Sequence, residues 1–153
     1  LIVAAPLSAP THIRARAAGA QPLIDMAKAG VYFPHTAVIT RRAYLKTNRD
    51  TALNFFRGYS EGLQRFTQDK TAAKKIIQKY TRDTAEDIIE ATYQYAVDYV
   101  VRPPYPNREG IVETLKLSQN PEAKKANPDN FLDSSIVKEL EDEGFLRKIG
   151  MQK

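Results

Sequence analysis

The 153-residue chain has no cysteine, no tryptophan and only two histidines. Without cysteine there is no disulfide, no thiolate metal site and no cysteine nucleophile. A cysteine-free chain fits either redox compartment. No apolar run approaches the roughly 20 residues of a membrane-spanning helix. Internal repeats and low-complexity tracts are also missing, and an ordinary globular composition argues against disorder. An excess of basic over acidic charge is missing outside the first third. Residues 1–50 hold seven Lys/Arg against two Asp/Glu, whereas 51–100 and 101–153 are each balanced, so the first third carries the whole net charge of +5. A weak positive field there suits an anionic ligand. The basic residues form no dense stripe and no nucleic-acid-binding motif, so nucleic acid is not an expected partner.

What is present starts with an apolar run, Leu1-Ile2-Val3-Ala4-Ala5, bounded by Pro6. It is too short for a helix and reads as a buried strand. It lacks the basic flank and the length of a signal peptide. A chain that opens with leucine inside a core-like run leads us to expect a piece of a longer protein. Ser8 is placed to cap a helix, Pro10 suits its first turn, and Gly19 closes it. A strand feeding a loop that opens a helix gathers free N–H groups at one spot, as ligand loops of α/β sheets do. Residues 21–26 are a second strand candidate, and the β-branched segment Thr36-Ala37-Val38-Ile39-Thr40 is a third.

From residue 50 the periodicity becomes helical. Ala52, Phe56, Tyr59, Leu63 and Phe66 recur at spacings of four and three, one face of a helix over 50–67. Gly58 and Gly62 lie four apart in it, a spacing that marks close approach of another element. Phe55, Phe56, Tyr59 and Phe66 read as core. A second helix, capped by Asp69 or Thr71, has Ala72, Ile76, Ile77 and Tyr80 inward. Thr84-Ala85-Glu86-Asp87 is a capping-box variant opening a third, with Ile88, Thr92, Tyr95 and Tyr99 as its stripe. Arg102-Pro103-Pro104-Tyr105-Pro106 forms a stiff connector. Asn107 caps a short helix, Asn120-Pro121 and Asn127-Pro128 bracket a surface segment, and Asp133 or Ser134 caps the last helix. Gly144 fits the position just beyond that helix, with Phe145 reaching back to Leu140.

Catalytic and metal chemistry find little support. Ser8 has no G-x-S-x-G elbow and no oriented acid beside a histidine. The acidic residues of 86–90 suit a helix N-terminus, and those of 139–143 a solvated face. No metal-ligand spacing occurs, and neither a metal nor a cofactor is expected. Tyr32 and Phe33, beside His35 in an irregular connection, either stack on a flat ligand or plug a junction.

The ordered segments Ala4-Ala5-Pro6-Leu7-Ser8-Ala9-Pro10, Arg16-Ala17-Ala18-Gly19, Leu23-Ile24-Asp25, Phe33-Pro34-His35-Thr36-Ala37-Val38 and Arg42-Ala43-Tyr44-Leu45 resemble a known family. So do Phe55-Phe56-Arg57-Gly58-Tyr59-Ser60-Glu61-Gly62, then residues 73–81, and the tail Phe131-Leu132-Asp133 to Leu140 with Gly144-Phe145. The family is the NMT1/THI5-like solute-binding proteins of ABC importers, of the sulfonate and taurine type. The resemblance is to their C-terminal half and covers nearly the whole chain. It implies an α/β, type II periplasmic-binding-protein fold, with few strands at the N-terminal end and a mostly helical remainder. Residues 1–40 then belong to the second lobe and hinge strand, and 41–153 pack on the first lobe. It further implies a periplasmic subunit that closes two lobes around a small anionic or heteroaromatic solute and presents it to permease subunits. By the same resemblance Leu7, Ser8, Ala9, Pro10, Thr11, His35 and Thr36 line the cleft. Relatives that synthesise the thiamin pyrimidine carry a cysteine-rich motif and an active-site histidine. This chain has no cysteine, so enzymatic activity is not expected. The alternatives are that pyrimidine enzyme and a helical interaction module over residues 50–150. Unpaired strand edges also predict self-association.

Overall fold

The structure, a computed structural model, describes residues 3–26, 28–30, 34 and 36–151. Its elements are helical: α1 (Thr11–Ala17), α2 (Arg42–Thr47), α3 (Arg49–Gln68), α4 (Lys70–Thr81), α5 (Glu86–Tyr99), α6 (Arg108–Leu117), α7 (Pro121–Lys125), a 3-10 turn (Pro128–Phe131), α8 (Ser135–Asp142) and α9 (Phe145–Lys148). There is no β-strand among the described residues. This overturns the α/β, type II periplasmic-binding-protein fold expected from the sequence. Val3, Ala4 and Ala5 are exposed and irregular, as are residues 21–26 and 36–40. Val3 is 90% exposed and Ile39 88%. A strand takes its hydrogen bonds from a neighbouring strand, and Ala37, Val38, Ile39 and Thr40 make no hydrogen bond to any other described residue. Leu1 and Ile2 lie outside the described residues.

Helix boundaries follow local chemistry. The Asp69 carboxylate accepts from the Ala72 N–H at 2.9 Å and opens α4. Asn107, Asn120 and Asn127 cap α6, α7 and the 3-10 turn in the same way, the last two with proline following. No side chain caps α5, whose N-cap is Ala85, so the capping box at Thr84 does not form. Arg82 ends α4 in the left-handed region at φ 56°. Gly144, at φ 75°, donates its N–H to the Glu141 carbonyl and turns the chain into α9.

The chain divides into two compact units, residues 1–25 with 65–100 and residues 26–64 with 101–153; the division falls within α3. In the first unit, Ala73 and Ile77 of α4 meet Ile89 and Tyr93 of α5, with Phe66 and Val97 alongside. Lys74 bridges the same two helices by pairing with Glu86 and Glu90, and Lys70 also pairs with Glu90 at 2.5 Å. Those bonds raise the Lys74 pKa and lower that of Glu90. The inward face of α4 is therefore Ala73 and Ile77, while Ile76 and Tyr80 point to solvent, contrary to the sequence expectation.

In the second unit the core is Leu53, Ile136, Val137, Leu140, Leu146 and Met151, with Phe56, Leu63, Tyr105 and Phe145 packed on it. Arg49 pairs with Glu139, and Arg57 with Glu143 at 2.7 Å, binding α3 to α8 and its C-terminal end. Tyr105 donates to the Glu141 carboxylate. Burial, then that bond, pushes its pKa up to about 12. The buried Gln64 amide donates to the Gly150 carbonyl at 3.0 Å. Ser60, fully buried on the same face of α3, has a hydroxyl with no partner among the described residues. Ser60→Ala removes an unpaired buried group and favours the helix, so we expect a gain of about 1 kcal/mol. Urea denaturation measures it, and a loss of stability counts against this reading.

The opposite face of α3 is open. Phe55 and Tyr59 stack at 6.2 Å with planes 9° apart, and both are exposed. A Cβ built on Gly58 or Gly62 meets nothing within 4 Å, so the close approach expected at these glycines does not occur among the described residues. The exposed Val38 and Ile39 make association at rising concentration the expected behaviour. Ile39→Lys is expected to reduce it in light scattering, and a mass that is independent of concentration in the unsubstituted chain contradicts the expectation.

Candidate functional site

Leu7, Ser8, Ala9, Pro10 and Thr11 form the turn that opens α1, with a cis peptide bond between Ala9 and Pro10. The Ser8 carbonyl accepts from the His12 N–H at 3.0 Å, and the Pro10 carbonyl accepts from Ile13 and Arg14. No side chain caps this helix. Leu7, Ser8 and Thr11 are exposed, and Ala9 and Pro10 half-buried. Two hydroxyls and a short apolar shoulder thus face water at one end of α1. Thr36 is exposed in the second unit, and His35 lies outside the described residues, as do Tyr32 and Phe33. The turn at Leu7–Thr11 is therefore the part of the expected site whose geometry can be followed.

Next to it the fold places side chains that the sequence reading did not join. The His12 ring lies 5.0 Å from the Tyr95 ring, tilted by 57°. Tyr95 lies 4.7 Å from Tyr99, one turn further along α5. The three rings make a row beside the Ser8–Thr11 turn, with Tyr99 exposed and His12 and Tyr95 half-buried. Burial raises the Tyr95 pKa, and the Asp25 carboxylate raises it further, so its phenol stays protonated at neutral pH. Arg14 fixes α1 in place: its guanidinium donates to Asp83 at 2.6 Å and to the Thr81 carbonyl at 3.3 Å. Arg16 stands exposed one turn from His12. The repeat of Tyr95 and Tyr99 at i and i+4 was the sequence signal for this row. Its link to His12, 83 residues earlier, had none.

Such a row offers tilted aromatic rings, 57° and 48° apart in plane, with hydroxyls and a basic side chain in the same stretch. Aromatic pairs of this geometry contribute about 0.5–1.5 kcal/mol beyond buried area. A shallow depression of about 300 Å3 lies elsewhere on α4 and α5, lined by Thr71, Lys74, Lys75, Gln78, Glu86 and Ile89. Its central cation, Lys74, is already committed to Glu86 and Glu90. Among the described residues there is no group of three His, Asp or Glu side chains placed to hold a metal ion, and no helix is long and apolar enough to cross a membrane.

Comparison with known proteins returned no matching family model, no matching curated protein and no matching solved structure.

Proposed function

We propose that the chain serves solute binding for an ABC-type importer on the periplasmic side, taking a small anionic or heteroaromatic solute and passing it to permease subunits. The observation that carries this reading is the ring row His12–Tyr95–Tyr99 beside the hydroxyls of Ser8 and Thr11. It adds to the order of segments that resembles sulfonate- and taurine-type binding proteins. The two-lobed cleft implied by that resemblance is not part of the proposal. A planar solute extends the row by stacking, its polar edge meets the hydroxyls, and the basic first third of the chain attracts negative charge. No step breaks or forms a covalent bond.

Titration calorimetry of the chain with a sulfonate, a pyrimidine and nitrate tests the proposal. Heat is expected from one class without turnover, and His12→Ala is expected to weaken that binding by about tenfold. Absence of heat with all three defeats the solute reading, and conversion of a pyrimidine to product replaces it with the enzyme alternative. A helical interaction module is favoured by a different observation, the exposed Phe55 and Tyr59 stack on α3. Under the solute reading, replacing both rings by alanine leaves the calorimetric affinity unchanged.

A further inference from the structure

We propose that α1 is an exchangeable arm. At high protein concentration the α1 of one copy occupies the α5 face of a second copy, through the same contacts it makes within its own chain.

Three observations converge on this. First, α1 is held by few, self-contained contacts. It has no buried residue, and its side-chain partners are Tyr95 for His12, and Asp83 and the Thr81 carbonyl for Arg14. All of these belong to residues 81–95, so an α1 from another molecule can satisfy them without any new geometry. Second, 24 residues separate α1 from α2. The described ones among them carry neither helix nor strand, and all but the half-buried Pro34 are exposed. Fully extended, such a link spans roughly 80 Å, enough to reach a neighbouring molecule. Third, that link carries large apolar side chains facing water: Leu23, Ile24, Val38 and Ile39.

Concentration decides between the two forms. A tether of this length gives an arm an effective concentration in the mM range at its own site. With identical contacts, exchange competes only when protein concentration approaches that range. In the exchanged dimer two links run together, and Leu23, Ile24, Val38 and Ile39 of the two copies cover one another. Removing them from water favours the exchanged form and lowers the concentration required. The occupant is therefore a second copy of this chain, and the surface is the one that α1 already fits.

The absence of cysteine makes the test direct. Ala17→Cys puts a unique thiol on the exposed last residue of α1, three residues beyond Arg14, where a nitroxide label is attached. This chain, without isotope label, is mixed with isotope-labelled unsubstituted chain. At ~1 mM an about twofold loss of amide signal is expected at Asp83, Tyr95 and Tyr99 of the labelled chain, relieved on dilution. Full signal at these amides at high concentration overturns the proposal, as does a loss confined to residues outside 81–99. An isotope-labelled Ala17→Cys chain at high dilution reports the intramolecular contact. It must show the loss at the same amides, and its absence there also overturns the proposal.

Discussion

Replacing Leu140 with alanine is expected to lower the unfolding free energy by about 2–5 kcal/mol, the largest effect of any single change we predict in the second unit. Leu140 is wholly excluded from solvent, on one face of α8 with Ile136 and Val137. Around it stand Leu53 from α3, Leu146 from α9 and Met151 just beyond α9. Truncation removes three methyl-sized groups from a cluster of six buried side chains, so no distant part of a large core takes up the loss. Collapse of the cavity is resisted as well. Arg49 to Glu139 and Arg57 to Glu143 hold α8 and its end in register on α3, and an unrelaxed cavity is the more costly kind. Those ion pairs are themselves half exposed, and pairs of that sort contribute about 0–1 kcal/mol. The core therefore outweighs the pairs, although the pairs decide how far the core can adjust. Urea denaturation of Leu140→Ala with an unchanged slope, beside Arg57→Ala, measures both. If Arg57→Ala costs as much as Leu140→Ala, the second unit is held by charge rather than by packing.

The same contrast between local and distant partners explains what the sequence disclosed. Helices α3 to α6 and α8 follow from apolar spacing, helped at α4 and α6 by their caps, because a helix closes its hydrogen bonds within four residues. Asn107, Asp69 and Gly144 act where their residue types predict. The segments 1–5, 21–26 and 36–40 have the composition of strands, but a strand is completed by a neighbour far along the chain or beyond it. Composition announces the need for a partner and cannot supply one. On α4 the apolar residues Ile76, Ile77 and Tyr80 suggest one inward face, yet α5 meets Ala73 and Ile77. Here the small Ala73 lets the helices approach, and the long stems of Lys70 and Lys74 reach Glu86 and Glu90 across the joint. The turn from Leu7 to Thr11 was readable in part: Gly19 lies just past the end of α1 at positive φ, but Ser8 does not cap the helix and Pro10 takes the N-cap position instead of the first turn. Its aromatic neighbours on α5 were not, because only folding brings Tyr95 to His12.

Tyr93 was missed for a related reason, and it carries the second large prediction. The stripe Ile88, Thr92, Tyr95, Tyr99 describes one side of α5. Tyr93 lies on the other with Ile89, and both are buried. Its ring packs 5.6 Å from Phe66, and its hydroxyl donates to the Thr67 carbonyl at 3.2 Å. That carbonyl sits in the last turn of α3, so the bond ties α5 to the end of that helix. The Lys70 ammonium also stands 5.5 Å from the ring centre. Lys70 is half exposed, so its attraction to the ring is near the lower end, about 0.5 kcal/mol. Tyr93→Ala removes ring, hydroxyl and cation contact together and is expected to cost about 3–5 kcal/mol. Tyr93→Phe keeps the ring and removes one hydrogen bond, for a cost of about 1 kcal/mol. The difference between the two variants isolates the packing of α5 on α4 and the end of α3. Equal losses in urea titrations of the two would mean that the hydroxyl, and not the ring, fixes this joint.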